Sequence, residues 1–204
     1  MAKTVTVERV LGTYKLVSGG FNGSGASYFQ GIVGKGYDGT QTTSNYYSSG
    51  SGTRAYFTYD MSFNIPSNAT VTALSVKVNG HAESTSQSNE YMTFQLKSGS
   101  TYFTTLYNFK SYGTSNTTIT RDATTLPTVA QLSSMVLECT LGYYGGAING
   151  ATCYLTYTLQ EAIYYKENGS WVEPSAVYKK VNGSWVKQSD LTTVFDANTN
   201  YVKG

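Results

Sequence analysis

The chain has 204 residues, of which only 13% are charged, about half the usual ~25%. A net charge of +2 argues against nucleic acid as a partner, because that partner calls for a basic stripe or face. No run approaches the ~18 apolar residues of a membrane span, so no membrane insertion is expected.

The length suits one β domain of ordinary size, or such a domain with appendages. Glycine (21) and tyrosine (19) are abundant, while proline occurs three times. Glycine turns joining many short strands suit this composition, since β-branched and aromatic residues fit a pleated sheet. Tyr with Ser, Gly and Asn also makes the adaptable polar surfaces used in recognition. A polar extracellular β protein with no specific ligand fits the same composition.

Residues 1–40 begin with alternation in "KTVTVERV", where Val5, Val7 and Val10 interleave with polar neighbours. The start "MAKTVTVERVLGTYKLV" has no apolar h-region, and no secretory signal is expected. "YKLV" and the run "SGGFNGSGASYFQGIVGKGYDG" follow. So many glycines cost backbone entropy when ordered. The segment therefore reads as an N-terminal arm that orders on a partner or sister subunit, or else as a floppy terminus.

Residues 41–160 read as a β-sandwich or jelly-roll-like domain. "RAYFTYDMSF" puts Ala55, Phe57, Tyr59, Met61 and Phe63 on one face. "IPSNAT" breaks the pattern with Pro66 and Asn68. "VTALSVKVNG" aligns Leu74, Val76 and Val78, and its Asn79-Gly80 is a turn signal. "YMTFQLKSG" contributes Met92, Phe94 and Leu96, and "YFTTLYNF" and "TTITRDATTL" continue the series. "LPTVAQLSSM" (126–135) is the candidate for a turn or two of helix. "SSMVLECTL" then directs Met135, Leu137, Cys139 and Leu141 inward, and "ATCYLTYTL" does the same with Ala151, Cys153, Leu155, Tyr157 and Leu159. Eight or so short strands with regular turns predict an all-β, two-sheet architecture.

If 135–141 and 151–159 form a hairpin centred on Gly146, Cys139 faces Cys153 in its interior. Two packed thiols fit this reading better than a disulfide, although a bond stays open. The intervening "GYYGGAING" presents Tyr143 and Tyr144 on a glycine-rich backbone.

Residues 161–204 carry a repeat: Asn168-Gly169-Ser170-Trp171 recurs as Asn182-Gly183-Ser184-Trp185. Each copy reads as a strand, a tight Asn-Gly turn accepting positive φ, and a strand led by Trp. One such hairpin is marginal alone. Two in tandem could cap a domain, seal an oligomer axis, or offer Trp171 and Trp185 for stacking on sugars.

"IPSNATVTALSVKVNGHAESTS", "LKSGS", "LECTLGYYGGAINGATCYLTYTL" and "VYKKVNGSWVKQ" together resemble a family of virion proteins. It comprises tail- and fibre-associated structural proteins of phages and prophages of Gram-positive gut bacteria. The resemblance covers about Ala55–Leu159 plus Ile163–Gln188 and rests on strand and turn patterns. It implies a virion protein assembled in the host cytoplasm, without saying which part of the virion. One departure is "DATTLPTVAQLSSM", which replaces the family's Trp-containing strand, so the resemblance implies no register there.

Catalytic chemistry has little purchase on this sequence. A Ser-His-acid triad would need His81, the one histidine, and "VNGHAEST" reads as an exposed turn. One His and two inward Cys make no metal site. "GIVGKGYDG" lacks the Lys-Ser/Thr ending of a P-loop. Asp60, Glu83, Glu90, Asp122 and Glu138 offer no spacing that selects a glycosidase pair. The expectation is a non-enzymatic virion protein without a cofactor, at the tail, fibre or baseplate, contributing to host-surface glycan attachment. Tyr143, Tyr144, Trp171 and Trp185 are its candidate ligand contacts. Expected partners are other virion proteins and copies of itself, as a trimer or, at a capsid vertex, a pentamer. Capsid decoration, a head fibre or a collar is the alternative, and a small glycan depolymerase a second one.

Overall fold

The structure, a computed structural model, describes residues 2–39, 54–82, 92–109, 116–142, 145–160, 165–167, 170–172, 177–187 and 201–203. Contacts divide the chain into a larger unit, residues 6–157, and a smaller one, residues 1–5 with 158–204. The elements run β1 (Ala2–Val10), β2 (Tyr14–Ser18), α1 (Gly25–Gly31), β3 (Ala55–Asp60), β4 (Ala69–Ala82), β5 (Met92–Ser98), β6 (Thr101–Tyr102), β7 (Tyr107–Asn108), β8 (Thr117–Asp122), α2 (Val129–Leu132), β9 (Met135–Leu141) and β10 (Gly146–Gln160). One sheet has the order β1-β10-β4-β8; the other has β2-β3-β9-β5-β6, with β7 also on β5. This is an all-β sandwich.

The period-two pattern does the sorting. In the antiparallel run β3-β9-β5, register places Phe57, Cys139 and Phe94 in one row. Tyr59, Leu137 and Leu96 form a second row and Ala55, Leu141 and Met92 a third. All nine are fully buried, as are Val76, Val78, Ala151, Cys153 and Leu155 from the other sheet. "LPTVAQLSSM" supplies the short helix α2, held by a reciprocal capping box between Thr128 and Gln131 and pinned inward by Leu132.

Three expectations are corrected. First, β9 and β10 lie in different sheets, so Cys139 and Cys153 are not partners across a hairpin. They are separate buried free thiols, and Cys139 pairs in register with Phe57 and Phe94. Second, Asn79-Gly80 makes no turn: both residues lie inside the 14-residue β4, paired with Thr118 and Thr117. A Cβ on Gly80 would lie 2.5 Å from the Ala147 carbonyl oxygen, so this glycine serves close approach to β10.

Third, the glycine-rich N-terminal segment is built into the sandwich and does not stand away from it as an arm. β2 pairs antiparallel with β3, with Tyr14 opposite Tyr59 and Leu16 opposite Phe57. α1 then drops Phe29 into the interior, its ring 4.7 Å from that of Phe57. Tyr59 donates its hydroxyl to the Phe29 carbonyl at 2.6 Å. The chain returns along β10, where the Ala151 amide donates to the Lys35 carbonyl and the Tyr37 amide to Thr152 Oγ1. A Cβ on Gly150 would meet the Gly36 carbonyl oxygen at 2.0 Å. Within the run itself, Gly19 lies against the Arg54 backbone and Gly36 against β10, so these two glycines of the segment serve close approach. Leu11, Phe29 and Ile32 are buried as deeply as the strand residues.

Where the chain leaves β1 for β2, the Gly12 amide donates to the Asp60 carbonyl and the Asp60 amide to the Thr13 carbonyl. Arg9 and Asp60 form an ion pair at 2.9 Å that links the two sheets. Burial works to raise the Asp60 carboxyl. Hydrogen bonds from Ser62 and Arg9, with the Arg9 charge, outweigh it and hold the group below its ordinary 3.8.

The smaller unit contains two tandem hairpins. β11 (Tyr165–Glu167) pairs antiparallel with β12 (Ser170–Val172). β13 (Val177–Val181) pairs antiparallel with both β14 (Ser184–Lys187) and β15 (Tyr201–Lys203). The second turn has φ of 49° at Asn182 and 85° at Gly183, the left-handed pair that Asn-Gly accepts in a two-residue hairpin loop.

Three outcomes follow from this packing. Phe29→Ala removes the buried ring that packs on Phe57 and Phe21 and should cost about 3–5 kcal/mol, seen as a lower denaturant midpoint. Burial holds both thiols well above their ordinary range. Neither should therefore react with a thiol-specific reagent in the folded chain, and both should react once it is unfolded. Because Asp60 is depressed on folding, its contribution is present above the unfolded carboxylate pKa and is lost as pH falls through the folded value. Asp60→Asn should flatten the stability curve below about pH 4, with a small loss at neutral pH, about 0.2–1 kcal/mol for an exposed pair.

Candidate functional site

Of the four residues expected to contact ligand, Trp185 alone has a described side chain. Tyr143 and Tyr144 lie outside the described residues. Trp171 is opposite Lys166 in the β11–β12 pair, and its side chain is likewise outside the description. Trp185 is opposite Lys180 in a different sheet, with 43% of its surface exposed. The tandem hairpins thus belong to separate sheets and do not continue one another's hydrogen bonding.

The outer face of the four-stranded sheet shows more organisation. Alternation that sends Leu74, Val76 and Val78 inward turns Ser75, Lys77, Asn79 and His81 outward on β4. Their neighbours on antiparallel β8 are fixed by register: Ser75 opposite Asp122, Lys77 opposite Thr120, Asn79 opposite Thr118. β10 adds Tyr154 and Thr156 on the other side. The Lys77 ammonium lies 4.9 Å from the ring centre of Tyr37 and 5.6 Å from that of Tyr154. The two tyrosines share a hydrogen bond. Burial first, then the neighbouring Tyr37, raises the Tyr154 hydroxyl above its ordinary 10.0.

From this cluster the face runs in two directions. Toward one end the side chains close on each other. Asn79 donates to Thr118 at 3.0 Å, Asn149 donates to Asn79 at 2.9 Å, and Tyr28 donates to Asn149 at 2.7 Å. Beyond them His81 is fully buried, its Nδ1 2.7 Å from Asn116 Oδ1. An amide oxygen can only accept, so Nδ1 carries the proton. The histidine expected on an exposed turn is a buried strand residue, because β4 runs on through Asn79-Gly80.

Toward the other end the face opens into a shallow groove of about 380 Å³. It is lined by Thr72 and Ser75 of the central β4, by Asp122 at the end of β8 with Leu126 just beyond it, and by Tyr154 and Thr156 of β10. Thr72 is already committed, donating to the Thr156 carbonyl at 3.2 Å. Leu126 is 43% exposed. Sequence reasoning passed over this groove because its residues come from three strands and a loop. The signal was the polar half of the same alternation that identified the core.

The described acids are spread over the molecule. Asp60 pairs with Arg9, Glu138 with Lys97 on the six-stranded sheet, and Asp122 lies at the groove. Among the described residues no group of three His, Cys, Asp or Glu could hold a metal ion.

The sequence matches no protein-family model and no curated protein. Among solved structures, an arabinose-bound α-L-arabinofuranosidase is similar over 74% of this chain at 15% identity, with a TM-score of 0.31. The match spans 23% of that enzyme's length. A likeness this distant carries no functional argument.

Proposed function

We propose that this protein is a non-enzymatic structural component of a phage virion, placed at the tail, fibre or baseplate and contributing to attachment to host-surface glycan. The observation that carries the reading is the outer face of the four-stranded sheet, where tyrosines, hydroxyls and amides stand in register on a rigid scaffold. Such a surface recognises neutral polar ligands by stacking and hydrogen bonding. The motif resemblance along the sandwich and in the tandem hairpins supports a virion origin. Partners are other virion proteins and further copies of the chain, most simply in a trimer whose repeated weak sites gain strength from multivalency.

The decoration, head-fibre or collar reading rested on an N-terminal arm free to order against a shell. With residues 6–39 packed into the sandwich, that motivation falls away. Immunogold electron microscopy, with antibody against the full chain, tests the proposal on particles from a phage or induced prophage that encodes it. Label at the tail tip or fibres is the expected result. Gold over the head would return the decoration reading, and unlabelled particles would remove the virion assignment.

A further inference from the structure

We infer that the groove beside Asp122 on the outer face of the four-stranded sheet is a saccharide subsite, taking a vicinal diol of one sugar unit in a glycan chain. The inference rests on the attachment reading above and names the place and chemistry of recognition, which that reading leaves open.

Ser75 and Asp122 are opposite each other in the β4–β8 register, which sets their Cβ atoms about 4.5–5.5 Å apart. Neither side chain has a hydrogen-bond or ion-pair partner among the described residues. Asp122 is exposed and its carboxylate accepts only; Ser75 both donates and accepts. Adjacent hydroxyls of a sugar ring can donate to the carboxylate while one of them accepts from the serine. Leu126 on the β8 side and the Tyr154 ring on the β10 side flank these polar groups and give apolar surface for the C–H face of the same ring. Small-ligand sites typically have one side apolar and a few convergent polar groups, and 380 Å³ lies at the lower end of their ~300–1,000 Å³ range. An open groove of this size seats one part of a longer chain while the remainder runs across the sheet.

Charge decides between occupants. Lys77 lies on the same face, diagonal to Asp122 in the register, about 7–8 Å away by strand geometry. Among the described residues Asp122 is the one carboxylate in the groove lining, and beside it stands an ammonium that Tyr37 and Tyr154 hold over their rings. Glu8 and Asp38 act on Tyr154 from outside the groove. A cation or a basic peptide meets that ammonium, and an anion meets Asp122, whereas a neutral polyol opposes neither. Tyr154 is also positioned by its hydrogen bond to Tyr37, so its ring is set in place before ligand arrives.

The test uses the full chain and purified cell-wall polysaccharide from Gram-positive gut bacteria, together with a glycan array. Binding is measured for wild type, Asp122→Asn, Ser75→Ala and Tyr154→Ala, with Thr93→Ala on the opposite sheet as control. Asp122→Asn should weaken binding at least tenfold with an unchanged melting temperature, Tyr154→Ala should weaken it too, and Thr93→Ala should bind as wild type. If wild type binds glycan and all three groove variants bind equally well, the subsite is wrong while the attachment reading stands. If wild type binds neither the polysaccharide nor any array glycan, both fail together. Titration with calcium chloride and with a lysine-rich peptide covers the other occupants. Binding of either that Asp122→Asn abolishes, with glycan binding untouched, assigns the groove elsewhere and overturns the inference.

Discussion

The sandwich depends on how its side is closed where the chain first crosses from one sheet to the other. β1 belongs to one sheet and β2 to its opposite, and α1, which follows β2, is tied to both: Tyr28 donates to the Ile148 carbonyl on β10, and the Phe29 carbonyl accepts from Tyr59 on β3. Phe29 meets Phe57 and Phe21, while its carbonyl takes the Tyr59 hydroxyl. A buried tyrosine hydroxyl without a partner would be costly, so one hydrogen bond fixes where α1 must sit. Once it sits there, Lys35–Tyr37 can run along β10 and cover that strand. Burial and the neighbouring Cys139 both hold the Tyr59 hydroxyl neutral, which keeps it a donor.

That closure also prepares the candidate recognition face. Tyr28, next to Phe29 in sequence, reaches Asn149 and so anchors the amide network on the outer sheet. Tyr37 reaches Tyr154 and brings Lys77 with it. The glycine-rich segment thus positions both ends of a polar row on β4. The six-stranded sheet presents a different outer surface: Lys97 pairs with Glu138 and lies over the Tyr102 ring, using up its charges locally. On the four-stranded face, Ser75 and Asp122 keep open hydrogen-bonding capacity.

Much of the interior was legible because side-chain alternation is a local property. Ala55 through Phe63, Leu74 through Val78, Met92 through Leu96 and Met135 through Leu141 all face inward as their spacing required. Local turn chemistry held where nothing competed with it, as at Asn182-Gly183. It failed at Asn79-Gly80, where the same dipeptide sits inside a long strand because β8 and β10 flank it on both sides. The candidate site was less legible. Tyr143 and Tyr144 drew notice as conspicuous aromatics, whereas the groove is made of ordinary Ser, Asp, Leu and Tyr brought together from distant positions.

The sequence by itself determined that this chain is all-β, which face of the sandwich strands is buried, where the short helix α2 falls and how its last described hairpin turns. Those features follow from interactions spanning only a few residues. Which sheet each strand joins was decided by tertiary structure alone. Cys139 and Cys153 show the difference: both were correctly read as inward-facing, yet they lie in opposite sheets rather than across a hairpin. Alternation records only inside or outside, and both sheets of a sandwich share one inside. The glycine-rich beginning shows it again, since a glycine's value as a point of close contact depends on which backbone comes to meet it.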